Sequence, residues 1–292
     1  MEIPTSTRKF LYLSLLLWLA LPAHAQSPVW RVEKNTNLMF IGGTMHVLTA
    51  EDYPLPTAFE TAYQQATQIV FETDLAKMES PQFQQYMLAE LRYSDGRNLR
   101  QVLSEDTYRS IDEFFTTRGV PMASVENFKP GMVAAMMAMV ELQRLGLAGA
   151  GVDSYFNQRA DKERKAKGKL ETAEEQVAFI ASMGAGREDE MLAYNLADLE
   201  NLPALWQSMN RAWRSGDLHR LEATSAIPLR DDFPAIYQAL LIDRNNAWIP
   251  QIVAMSKTAE IEFILVGALH LVGSDGLLAM LSSRGYQITQ LQ

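Results

Sequence analysis

The sequence predicts an α/β fold, with α+β as a close variant: a mixed central sheet drawn from both ends of the chain and a long, mainly helical insert between them. Three observations predict it. Short β-prone apolar runs lie towards the two ends, and the stretch between them carries helical periodicity with start and stop signals. The order strand, Gly-x-x-His, helix also occurs twice, at Gly43-x-x-His46 and Gly267-x-x-His270, as two pseudo-symmetric units would produce.

In chain order, "VWRVEKNTNLMFIGG" holds two β-prone runs around polar Glu33 to Asn37. It reads as a hairpin whose second strand, Leu38 to Ile41, delivers Gly42 and Gly43 and leaves His46 just past a strand end. A short helix from about Thr57 to Ala66 precedes the strand "QIVFETD", which puts Glu72 and Asp74 at its carboxyl end. From Pro81 to about Leu147 the pattern is helical: Ser104 starts "EDTYRSIDEFF", Gly119 ends it, and Pro130 heads the methionine-rich "GMVAAMMAMVELQRL". Those methionines read as adaptable core side chains rather than soft metal ligands.

Asp153 reads as the N-cap of a helix that ends near Lys167, with Gly168 at C′. "KLE", residues 169–171, is a short strand, and Thr172 with Glu175 forms a capping box that leaves Glu171 at the strand–helix junction. Residues 187–225 hold two or three helices, and Phe233 to Lys257 another that Pro250 should kink or end. "EFILVGALH" is a buried strand, and "YQITQL" a last one after a helix from about Gly276 to Ser283. The helical insert thus runs from about 80 to 257. No low-complexity linker divides residues 26–292, which read as one domain.

Arg8 and Lys9, an apolar run from Phe10 to Leu21 and the small-residue sequence Ala23-His24-Ala25 form a secretory signal peptide, residues 1–25, cleaved after Ala25. The run is too short to span a bilayer, so no stable membrane insertion is expected after cleavage. The protein is expected to be periplasmic or secreted, and with no cysteine its stability must come from an ordinary core. Cleavage removes two basic residues and one acidic, taking the formal charge from −9 to −10, which argues against a nucleic-acid partner. The basic run Asp161 to Lys169 has acids mixed in and reads as the solvated C-terminal half of a helix.

Three histidines remain after cleavage, and two share the Gly-x-x-His setting. Each glycine ends a strand and lets the backbone turn, and in open α/β sheets ligands gather at the carboxyl ends of strands. His46 and His270 could therefore meet, with Glu72 as a third ligand and Asp74 nearby. Two imidazoles and a carboxylate suit zinc, iron, manganese or cobalt and leave coordination open for a water that attacks a carbonyl. No HExxH is present, so the ligands must come from separate strands. Glu171 is a candidate general base or further ligand, against a plain reading as first-turn helix charge. Arg244 and Asn245, in "LLIDRNNAW", are candidate oxyanion donors, against a structural salt bridge for the arginine. His219 reads as a surface residue.

"GTMHV", "FETD", "GVDSYFNQRA", "GKLETAEEQ", "LLIDRNNAW" and "GALHLVGSDGLLAMLSSRGY" together resemble the TraB/GumN family, which is related to the Tiki metalloproteases, over nearly the whole mature chain. The resemblance implies an α/β core of the erythromycin-esterase and haem-binding ChaN-like kind, and in the Tiki branch proteolysis dependent on manganese or cobalt. By motif it puts the family's two GxxH histidines on His46 and His270, its strand-end glutamate on Glu72 and its Arg-Asn pair on Arg244 and Asn245. The expectation is a metal-dependent hydrolase acting on a peptide or protein, with manganese, cobalt or zinc as cofactor and Glu171 or Asp74 moving the proton. The alternatives are a non-catalytic haem- or metal-binding protein and a metal-independent esterase with a histidine base.

Overall fold

The computed structural model describes residues 26–292, so the signal-peptide reading of residues 1–25 lies outside the described residues. Strands β1 (Val29–Lys34) and β2 (Asn37–Thr44) form the expected hairpin. Its two-residue turn places Asn35 at φ 57°, in the left-handed region that asparagine tolerates better than most residues. Beyond them lie the short β3 (Val47–Leu48), β4 (Gln68–Phe71), the short β5 (Gly149–Ala150), β6 (Ala166–Lys169), β7 (Glu262–Gly267) and β8 (Gln287–Gln290). Six of these make one mixed sheet in the order β6-β4-β7-β2-β1-β8, while β3 and β5 pair by themselves.

The four strands β6, β4, β7 and β2 run parallel, so their carboxyl ends share one edge of the fold. Parallel strands covered on both faces need continuous apolar runs, and β7 supplies one: Phe263, Ile264, Leu265 and Val266 are fully buried. One face packs Phe40, Phe263 and Leu265 against Phe59, Phe156 and Trp213. The other packs Ile41, Ile264 and Val266 against Trp248, Ile252 and Leu281. A third core, around Phe115, Met137, Val177 and Leu192, belongs to the helices between β4 and β7, where the methionine-rich helix Pro130–Arg144 packs as expected.

Several boundaries differ from expectation for physical reasons. The helix expected to reach Lys167 is Val152–Glu163, N-capped by Gly151 rather than Asp153, and Arg164 turns it off at φ 57°. Gly168 is therefore not a helix cap but part of β6, where a Cβ would meet the Gln68 and Val70 side chains at 3.0 and 3.2 Å. The strand expected at residues 169–171 accordingly ends at Lys169. The basic run is not simply a solvated helix end: Lys165 donates to the carbonyls of Tyr63 and Ala66, and Lys167 to Asn157 Oδ1 at 2.9 Å. Pro250 does not end its helix, Arg244–Met255, which continues five residues past it.

Trp213 fixes the helix Leu202–Arg214 to the sheet: it is fully buried, and its indole N–H donates to the Gly43 carbonyl at 2.7 Å. Trp213→Ala removes both a large core side chain and that bond, so urea unfolding should show a loss of about 3–5 kcal/mol.

Candidate functional site

Each of the four parallel strands leads into a polar residue at the shared edge: His46 follows β2, Glu72 follows β4, Glu171 follows β6 and His270 follows β7. His46 is set by backbone contacts. Val47 pairs with Ala150, and the Val152 N–H donates to the Met45 carbonyl at 3.1 Å. Gly151 is required there, because a Cβ would fall 2.3 Å from the His46 carbonyl. This close approach brings Asp153, on the first turn of its helix, to 2.9 Å from His46 Nδ1. Nδ1 therefore carries a hydrogen towards that carboxylate, and no described residue bonds Nε2.

His270 sits in a tight 3₁₀ turn, Ala268–Leu271, and is buried. Its Nδ1 lies 2.8 Å from Asn245 Oδ1, which can only accept, and its Nε2 lies 3.1 Å from Arg244 Nη1, which can only donate. The ring is thus neutral with its hydrogen on Nδ1. Asn245 also donates to the His270 and Asp275 carbonyls at 3.2 and 2.8 Å. All of its polar atoms are committed to this loop, so it holds His270 rather than presenting an oxyanion donor.

Glu72 accepts from the Gly267 N–H at 2.6 Å through Oε1 and from Arg244 Nη2 at 2.7 Å through Oε2. Arg244 further bonds Glu171 through Nε at 2.9 Å and Nη2 at 2.7 Å. It follows a π-helical segment, Gln238–Asp243, in which the wider turn offsets the helix face that presents Arg244 and Asn245. Glu171 lies behind the guanidinium and lines a second cleft of about 430 Å³ with Trp248 and Gln251. Asp74 does not join the group: it N-caps the helix Leu75–Met78, accepts from the Lys77 N–H at 3.0 Å and lines a different cleft. His219 is exposed, as expected.

Three of the side chains surround Gly267. A Cβ on that glycine would lie 3.3 Å from Glu72 Oε1, 3.7 Å from His46 Nε2 and 3.7 Å from His270 Cδ2. Burial pushes the His270 pKa down to about 3, and Arg244 adds to the effect. His46 is pulled up to about 9 by the Asp153 carboxylate, a pull that solvent moderates because 66% of its side chain is exposed. For Glu72, burial acts to raise the pKa, but His270, Arg244, His46 and the Gly267 N–H together hold it at about 2. Because His270 is neutral, Arg244 is the lasting counter-charge. Glu171 is raised by its burial, against the pull of Arg244.

The donor chemistry fits a divalent ion. Both rings hold Nδ1 on an acceptor, which leaves Nε2 as the atom that could bind an ion, on His46 after loss of its proton and on His270 after release from Arg244; His270 Nε2 stands 3.8 Å from Glu72 Oε1, within the span that bonds of about 2 Å to a common ion allow. Two features stand against a ready-made centre. Among the described residues no three His, Cys, Asp or Glu side chains are placed closely enough to hold an ion as they stand, and the Arg244 guanidinium already serves both Glu72 and His270.

Above the cluster opens a cavity of about 390 Å³, lined on its floor by His46, Glu72, Arg244 and His270 and on its walls chiefly by leucines, Trp206 and Met209. Sequence reasoning missed Asp153, whose role depends on the Gly151–His46 contact, and the cavity walls, which the helix Leu202–Arg214 brings over the strand ends.

A charged cluster at the carboxyl ends of parallel strands, beneath an apolar cavity, defines an α/β protein with a buried polar centre. Residues 28–290 match the TraB/PrgY/gumN family, and the chain belongs to it. It is 26% identical over 281 residues to the uncharacterized protein YbaP of Escherichia coli (strain K12), covering 93% of this chain and 98% of that one. It is 25% identical over 247 residues to the YbaP of Shigella flexneri, covering 82% and 86%. No solved structure matches the chain significantly.

Arg244→Met leaves two buried carboxylates without their cation and should cost about 3–5 kcal/mol at neutral pH. In the wild type, Glu72, with its folded pKa depressed, contributes stability that is present above its unfolded value and is lost as pH falls towards about 2. In the variant, burial without the cation raises the folded pKa of both glutamates, so stability is gained as pH falls. Denaturation curves from neutral to acidic pH should therefore show the gap between the two proteins narrowing, and a constant gap would contradict the assignment.

Proposed function

We propose that this cluster is the centre of a periplasmic or secreted metal-dependent hydrolase acting on a peptide or protein substrate, with His46, His270 and Glu72 holding manganese, cobalt or zinc. One observation carries the reading: two imidazoles from different strands keep Nδ1 on a fixed acceptor and turn the other edge of the ring towards Gly267, where the Glu72 carboxylate also lies. Membership of the TraB/PrgY/gumN family, read as related to the Tiki metalloproteases, supports it. When bound, such an ion supplies Lewis acidity and a water acidic enough to attack a carbonyl near neutral pH.

The chain's own residues prepare that chemistry. Asp153 and Asn245 orient the two rings, and the Gly267 N–H and Arg244 orient the Glu72 carboxylate. Arg244 uses four of its five N–H groups on Glu171, Glu72 and His270, which leaves one Nη1 hydrogen for a substrate carbonyl oxygen. Glu171 fixes Arg244 from behind. A second reading is favoured by that same arginine, since it neutralises Glu72 with no ion: a metal-independent esterase in which His46, unbonded at Nε2, is the general base once it has lost its proton, so that turnover rises towards about pH 9. A non-catalytic haem- or metal-binding role would use the same imidazoles.

Metal analysis and peptide-library cleavage on the same samples separate these readings. Wild type should retain a divalent ion and cleave, whereas His46→Ala and His270→Ala should each lose both; full metal-dependent cleavage by both variants overturns the proposal. Ester hydrolysis that survives a chelator selects the second reading, and a visible absorbance band on adding haem, without turnover, selects the third. Gly267→Ala keeps every ligand but puts a methyl group among them, so cleavage should fall at least tenfold while the melting temperature stays near that of wild type.

A further inference from the structure

We propose that the cavity over the cluster seats a linear aliphatic chain, an acyl group borne by the peptide or protein substrate, whose carbonyl end lies at the His46–Glu72–His270 floor. The chemistry at that carbonyl rests on the hydrolase reading, but the seating of the chain does not. The cavity's charged groups and histidines are confined to its floor, and the walls include Leu142, Leu202, Leu205, Trp206, Met209 and Leu240. Four of these recur at positions i, i+3, i+4 and i+7 of the helix Leu202–Arg214, so one helix face is turned into the space.

Volume and hydrogen bonding choose the occupant. About 390 Å³ corresponds to roughly a dozen waters of liquid, more than one amino-acid side chain fills. A peptide backbone threaded along these walls would bring a donor and an acceptor with every residue, and leucine and methionine side chains cannot meet them. A hydrocarbon chain brings none. Two lining groups do lack partners: Thr44 Oγ1, on a residue 3% exposed, and the Trp206 indole N–H. Buried polar atoms of this kind are rare unless a ligand or water completes them, and a single acyl carbonyl with its linked ester or amide offers the acceptors they need. If the centre is hydrolytic, water adds to that carbonyl, its bond to the ester oxygen or amide nitrogen breaks, one proton of the water goes to the leaving group and the other to solvent or to the released amine, and the acyl chain departs as a carboxylate.

The test is displacement of the fluorescent probe N-phenyl-1-naphthylamine from the purified protein by hexanoyl-, octanoyl-, decanoyl- and dodecanoylglycine. Affinity should rise about threefold to fourfold per methylene until the cavity is filled. Leu205→Asp and Leu240→Asp, both at half-buried wall positions, should each weaken dodecanoylglycine at least tenfold. Affinity independent of chain length overturns the proposal, as does equal displacement by N-acetylphenylalaninamide, or wild-type binding in both wall variants. The chain-length series on wild type needs no variant to fold. His46→Ala and His270→Ala should keep the chain-length dependence even if neither metal nor turnover is found, so failure of the hydrolase reading and failure of the acyl assignment give different results.

Discussion

The guanidinium of Arg244 is the interaction on which the strand-end cluster depends. It is almost fully buried, and it bonds Glu72, Glu171 and His270, which follow three different strands of the sheet. A lone carboxylate or guanidinium at that depth would be strongly unfavourable; together they form a balanced group whose planar, forked geometry fixes each partner's angle. Trp248 lies under the guanidinium at 4.6 Å and beside His270 at 4.5 Å, so the polar group rests on an aromatic floor. The three strand ends are thereby held in one relative position, and His270 is kept neutral with a ring nitrogen directed at the arginine.

His46 completes the group from a different footing. It belongs to the solvent-facing side, its ring is mostly exposed, and among the described residues its only carboxylate partner within 4.0 Å is Asp153. The two histidines share a sequence pattern but not an environment: one is buried and locked from both nitrogens, the other is held at one nitrogen and open at the other. The apolar cavity above them strengthens this contrast, because it brings a low-dielectric wall against a floor on which every charge is already committed.

Much of this was legible in the sequence because it is local. The hairpin showed in two β-prone runs, the capping box in Thr172 and Glu175, and the buried strand in "EFILVG". His46, Glu72, Glu171 and His270 could be placed at strand ends because glycine stops and apolar runs mark those ends, and parallel strands put them on one edge. What was hidden depends on contacts between distant segments. Asp153 has the composition of an N-cap, and only the approach of Gly151 to the His46 backbone turns it towards an imidazole. Asp74 looked like a partner of Glu72 because the two are neighbours in sequence, yet the chain leaves the strand between them and uses Asp74 to start a helix. No pattern in "QALLID" announces the π-helical turn.

The strand order carries a consequence for self-association. The sheet ends at β6, "AKGK", and at β8, "QITQ", each four residues long. An open strand edge is a template for another chain, and short edges bearing lysine resist that pairing. Lys167 and Lys169, paired with Asp161 and Asp74, make the β6 edge polar, so the strand that carries Glu171 into the cluster also bears the feature that disfavours a second sheet docking beside it.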